Sequence, residues 1–161
     1  MAVQALTQGK VLFGSTTWTG TAPGPPGTQT VSGTIASSTD LSFWGKSLST
    51  PEGFEALDAS GFGSGGFRNY VPGMAAMQAS ITFFQDYAAG GPYATLQAVT
   101  LAKTLTYWDV QPVNAARSAT NPSLVFAAWL TSFDFATAAT GEVMEVTVGL
   151  QVTGKWAHLT S

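Results

Sequence analysis

Glu52, Glu55 and Asp58 have the spacing that gathers side chains on one helical face, and three carboxylates so gathered could hold a divalent cation or share acid–base work. The simpler reading is electrostatic. Ser49 and Glu52 have capping-box spacing, so a short helix over Pro51 to Leu57 would carry these acids near its N-terminus, where the dipole favours them, although Gly53 weakens such a helix. The string Gly61-Phe62-Gly63-Ser64-Gly65-Gly66 matches the glycine pattern of a dinucleotide-binding loop. That chemistry needs a helix N-terminus to receive the pyrophosphate. Here Phe67 to Pro72 reads as extended and Pro72-Gly73 as a turn, which leaves a plain glycine loop.

The remaining reactive side chains do not assemble into a set. His158 is the single histidine and there is no cysteine, so neither a triad nor a zinc site can be completed, and His158 reads as a solvated tail residue. Glu142 and Glu145 differ by an odd number and fall on opposite faces of a continuous strand, which is no arrangement for a catalytic dyad. Asp86, Asp109 and Asp134 are scattered among expected strand ends and turns. With no coherent nucleophile, base or metal set, the chain does not read as an enzyme, and no cofactor is expected. Five tryptophans, Trp18, Trp44, Trp108, Trp129 and Trp156, would suit a sugar-stacking platform, but such residues more often anchor cores and interfaces.

The elements that would position these residues are strands. Met144, Val146, Val148, Leu150, Val152 and Trp156 alternate with Glu145, Thr147, Gln151, Thr153 and Lys155, the period of a half-buried strand, bent at Gly149. Val31, Ile35, Leu41 and Phe43 share one side of a second alternating run, with Ser32, Thr34, Ser38, Asp40 and Ser42 opposite. Ala75, Met77, Ala79, Ile81 and Phe83 form the apolar side of a third. The run from Leu124 to Phe135 is apolar on both sides, so one side is expected to meet a neighbouring subunit, with Trp129 and Phe133 as candidate interface residues. Gly91-Pro92 opens a short helix over Tyr93 to Val99. The fold class is therefore mainly β, a β-sandwich or open barrel with one or two short α-helices, in a single domain over residues 1–161. Exposed loops are expected at about 20–30, which is rich in proline and glycine, and at 46–70.

Composition narrows the setting. Only 9% of residues are charged, against roughly 25% in an ordinary soluble domain, while 45% are hydrophobic. No run approaches the roughly 20 apolar residues of a spanning helix, so the uncovered surface points to burial against other subunits rather than in a membrane. A formal charge of −3 offers no basic footprint for holding nucleic acid. Met1 to Lys10 lacks the pattern of a signal peptide, which implies synthesis in the cytoplasm.

A resemblance rests on residues 60–156. Gly66-Phe67-Arg68-Asn69-Tyr70-Val71-Pro72-Gly73-Met74 leads into the alternating run that ends at Asp86. A short helix follows, then Asn121-Pro122-Ser123-Leu124, Gly141-Glu142 and finally Val148-Gly149-Leu150-Gln151-Val152-Thr153-Gly154-Lys155-Trp156. This order resembles the major tail tube proteins of long-tailed bacteriophages. The resemblance implies a virion protein made in the host cytoplasm: a β-sandwich with a flanking helix, joined in sixfold rings that stack into a tube through which DNA passes. Its partners would be copies of itself and other tail proteins. DNA would not be bound specifically, and no membrane is involved. A sixfold ring multiplies the charge of −3, and an acidic wall would let DNA slide. Glu145 is the leading candidate for that wall, followed by Asp86, Asp109 and Glu142. Other readings are a capsid decoration, neck or tail-terminator protein and, from a different class, a carbohydrate-binding β-sandwich using Trp18, Trp44 or Trp108.

Overall fold

The structure, a computed structural model, describes residues 9–14, 17–25, 30–61, 65, 67–135 and 138–161. Eleven strands run in chain order: β1 (Lys10–Gly14), β2 (Trp18–Thr19), β3 (Thr34–Ile35), β4 (Thr39–Asp40), β5 (Gly45–Ser49), β6 (Glu52–Asp58), β7 (Tyr70–Phe84), β8 (Thr106–Gln111), β9 (Ser123–Phe133), β10 (Glu145–Val152) and β11 (Ala157–Leu159). One α-helix, α1 (Pro92–Ala102), separates β7 from β8, and a 3-10 turn spans Ser42–Trp44. Nine of the strands form one curled antiparallel sheet in the order β4-β1-β8-β9-β10-β7-β5, with β11 added to β9 and β6 to β7. The fold is mainly β, a half-barrel with a helix, as the alternation predicts.

Period two decides which face of this sheet is dry. Along β10, Val146, Val148, Leu150 and Val152 are buried; on β7, paired to it from Gln78 to Phe84, Met77, Ala79, Ile81 and Phe83 are buried on the same face. The strand irregularity expected at Gly149 is a register shift between Gly149 and Leu150 against β9. Phe13, Trp108 and Phe126 stack across β1, β8 and β9, with ring centroids 5.1 and 6.5 Å from the indole. Leu96 and Val99 of α1 close the curl over this core. Each such large side chain withdrawn from water contributes about 1.5–3 kcal/mol of transfer free energy. The helix opens on Pro92, as the sequence implies, and stops where Lys103 turns to a left-handed φ of 49°.

The other face is half covered. Along β9 both sides of Ser123 to Ala128 are buried, and the cover comes from this subunit rather than a neighbour. The segment 17–35 supplies it. Trp18 packs on Tyr107 with centroids 5.8 Å apart, Gly24 lies against Ala127, and Ile35 is buried beside β8. Gly24 exchanges backbone hydrogen bonds with Lys155, at 2.8 and 3.1 Å, and Gly154 approaches it so closely that a Cβ there would sit 2.0 Å from the Gly24 carbonyl carbon. The expected exposed loop at 20–30 is therefore partly buried, at Pro23 and Gly24; residues 26–29 lie outside the described residues.

Three further expectations are corrected. Pro51 to Leu57 is not a helix: Glu52–Asp58 is a strand paired with Tyr70 to Met77, so non-local pairing outweighs the local capping signal. The region 46–70 is accordingly not one long loop, since it contains most of β5 and all of β6; its residues 62–64 and 66 lie outside the described residues. Pro72-Gly73 does not turn the chain. It sits inside β7 at the register shift between Phe54 and Ala56, where an interrupted ladder tolerates proline's missing donor. Phe43 does not share the side of Val31, Ile35 and Leu41, which are buried, because the 3-10 turn swings it out to 87% exposure, and Ala75 lies on the exposed part of β7.

Candidate functional site

The side chains with reactive potential are dispersed by this fold. Glu52, Glu55 and Asp58 lie along a strand, and among the described residues no group of three or more His, Asp or Glu is placed to hold a metal. Glu52 instead accepts the Trp156 indole N–H at 2.9 Å and pairs with His158 Nε2 at 2.9 Å. His158 is solvated as expected, its side chain 56% exposed, but it is held in β11, opposite Leu124 of β9. The Ser60 side chain and backbone N–H hold the exposed Asp58 carboxyl below the usual carboxylate range. Of the proposed sugar-stacking residues, Trp108 is wholly buried, and the indole N–H groups of Trp18 and Trp44 donate to the Ser32 carbonyl and to Asp86. They act as anchors, not as an open platform. No helix among the described residues is long and apolar enough to cross a membrane.

What the fold leaves open is surface, in three parts. The first is the uncovered half of the sheet, where Ser47 and Ser49 of β5, Gln78, Ser80 and Thr82 of β7, and Thr147 and Gln151 of β10 share one face. Hydroxyls and amides there bond one another: Thr82 to Thr147 at 3.0 Å, and Gln78 to Gln151 at 3.2 Å. Glu145 belongs to this face and is paired with Lys46. Trp129, 42% exposed opposite Gln151, stands at its border with the covered half.

The second surface is an arm. β6 and the first half of β7 form a two-stranded ribbon beyond the sheet; all of β6 is exposed, with Phe54, Leu57, Tyr70, Val71 and Met74 uncovered. The third lies at the other end of β7, where Tyr87, Tyr93 and Phe135 cluster with centroids 5.0 to 6.3 Å apart. Phe133 packs against Tyr93 at 6.3 Å and on the core, half-buried, so its surroundings differ from those of Trp129.

The four wall candidates separate. Glu145 is on the open polar face; Asp86, next to Tyr87 of the aromatic cluster, accepts from Trp44 and from the Ala88 N–H, and Glu142 lies in the connection before β10, where it accepts from the Ala139 N–H. Asp109 is removed from the set. It is 1% exposed, bound by Arg117 at 2.5 Å and by the Ser123 hydroxyl, inside the layer that covers β8. The missed residue is Arg117, which also donates to the Gly33 carbonyl at 2.9 Å and so ties that layer down; a lone arginine in a polar loop carries no sequence signal of this role.

No family model and no curated protein matches the sequence. The fold, however, is similar to that of solved tail structures. The SPP1 tail tube protein superposes with a TM-score of 0.64 at 14% identity over 96% of this chain and 77% of that one. The tail of an empty gene transfer agent particle, refined with C6 symmetry, gives 0.60 at 11% identity over 74% and 86%. The anti-feeding prophage baseplate gives 0.60 at 12% identity over 99% and 97%. The chain thus has the fold shared by these assemblies.

Proposed function

We propose that the protein is the structural subunit of a phage-type tail tube, six copies closing each ring and rings stacking around a channel through which DNA passes. The carrying observation is the arm. An isolated two-stranded ribbon is marginal in water, and this one turns apolar side chains outward that its own subunit does not cover. Burial against other copies supplies the missing stabilisation, and it accounts for a chain that is only 9% charged. In this reading the open polar face of β5, β7, β10 and the end of β9 lines the channel, Glu145 contributes to that wall, and Trp129 at its border meets the next subunit of the ring. A wall of hydroxyls and amides holds phosphates weakly, which suits passage without specific binding. The protein is then a virion component that works with other tail proteins.

Negative-stain imaging of the purified protein, with its mass in solution, tests this. Sixfold rings or tubes are expected; a chain that stays monomeric at high concentration, with or without other tail proteins, overturns it. The fit to the baseplate component over nearly the whole of both chains favours a second reading, a ring that ends a tube, as a neck or terminator protein would. Single rings that never elongate would select it.

A further inference from the structure

We infer that the aromatic end of the sheet is the seat for the end of the arm that carries Phe67 and Arg68 in a second copy of this chain; this rests on the tail-tube reading. Apart from Leu101 and Trp129, the large apolar side chains exposed among the described residues fall into two patches. Phe54, Leu57, Phe67, Tyr70, Val71 and Met74 belong to the arm. Phe43, Phe84, Tyr87, Phe135, Val143 and Met144 surround the opposite end of β7. One strand of 15 residues joins them: at the usual rise per residue Tyr70 and Phe84 lie up to about 46 Å apart along it, and Met74 and Phe84 up to about 33 Å. Unlike patches at opposite ends of one element cannot satisfy each other within a subunit. They match head to tail between copies, and a head-to-tail contact that does not close on itself repeats along an axis.

Charge gives the pairing its sense. Arg68 is the only basic residue between Lys46 and Lys103, and it stands beside Phe67, which is 78% exposed, at the far end of the arm. Asp86, Asp134 and Glu142 are sequence neighbours of Tyr87, Phe135 and Val143; Asp86 accepts from Trp44 and Ala88, and Lys46 is taken up by Glu145. Of the arm's own acids, Glu52 is bound to Trp156 and His158 near the arm's base and Glu55 is in mid-strand, while Asp58, opposite Tyr70 at the same end as Arg68, is engaged by Ser60. The Arg68 guanidinium, 3.5 Å from the Tyr70 hydroxyl in its own arm, would in that contact meet tyrosine and phenylalanine faces flanked by Asp134 and Glu142, which favours both ion pairing and cation–π contact. The seat is also set in advance. Gln85 Nε2 donates to the Phe135 carbonyl at 2.8 Å and Trp44 Nε1 to Asp86 at 3.0 Å, so little ordering remains for docking.

Because the chain has no cysteine, cross-linking is free of background. A chain carrying Phe67→Cys and Val143→Cys, oxidised after assembly, should give a ladder of covalent multimers on a denaturing gel that collapses with reductant; either substitution alone should give no ladder. Independently, Arg68→Glu should raise the concentration needed for assembly at least about tenfold, and combining it with Asp134→Arg and Glu142→Arg should restore assembly. These positions are exposed, and circular dichroism of the unassembled variants checks that they fold. Tubes that form without a ladder, or an Arg68→Glu chain that assembles like the parent, overturn the seat and leave the tube reading standing. A parent chain that never forms rings or tubes overturns the tube reading and the seat with it.

Discussion

A carboxylate inside a sheet layer must be matched by charge and hydrogen bonds, and at Asp109 both come from residues far enough along the chain that no local pattern announces them. Arg117 and Ser123 take one oxygen each, and Arg117 spends a second donor on Gly33. Removing the arginine leaves an uncompensated buried charge, a change that costs about 3–5 kcal/mol, whereas removing both charges is far milder. Arg117→Ala should therefore lower the urea midpoint sharply, and Asp109→Asn in the same chain should recover much of the loss. If the double variant is as unstable as the single one, the ion pair is not the cause, and the cover layer depends on Arg117 through Gly33 alone. The same burial explains why Asp109 could be taken for a surface acid: an aspartate at an expected strand end or turn looks the same whether its partner is water or an arginine eight residues on.

At the level of elements, the arm depends on its root. Glu52 begins β6 and ties it to Trp156 and His158 at the other end of the chain, so the ribbon leaves the sheet in a fixed direction. Glu52→Ala should raise amide exchange in 52–58 and 70–76 of the unassembled subunit while leaving β8 and β9 protected. Glu52→Gln, which keeps an acceptor for the indole, should have the smaller effect. Equal exchange in all three proteins would show that strand pairing alone sets the arm. The sequence announces β10 and most of β7 because their burial repeats every second residue and is a local property. It hides β6, whose exposed residues show no core-facing period and whose partner strand begins only at Tyr70, after a glycine-rich stretch of sequence. It also hides the aromatic end, assembled from positions 43 to 144 that only the fold brings together. Trp129 and Phe133 looked equivalent as interface residues; the bulge beside Gly149 and Leu150 sends Trp129 to the open face and leaves Phe133 against the core.

For the whole molecule, the decisive quantity is the charge that a ring would present to DNA. The open face carries Glu145 and Lys46 as a pair, so each subunit adds almost no net charge there, and a wall built from it would be polar rather than strongly acidic. Lys155, which shares Glu145's alternation, lies past the end of β10 beside Gly24 and adds no cation near that pair. Replacing Glu145 by Lys frees Lys46 as well, and in a sixfold ring the two cations recur at every subunit. Multivalent contacts of this kind grip phosphates and weaken steeply with added salt, because releasing the displaced counterions into a more concentrated solution gains less free energy. Glu145→Lys should thus leave tubes intact, slow DNA release from reconstituted particles, and lose much of that slowing when ionic strength rises from 50 to about 200 mM. Lys46→Ala, which exposes only a carboxylate, should release DNA as fast as the parent. If Glu145→Lys particles release DNA at the parental rate at low salt, the open polar face does not line the channel, and the covered face of the sheet becomes the one to probe.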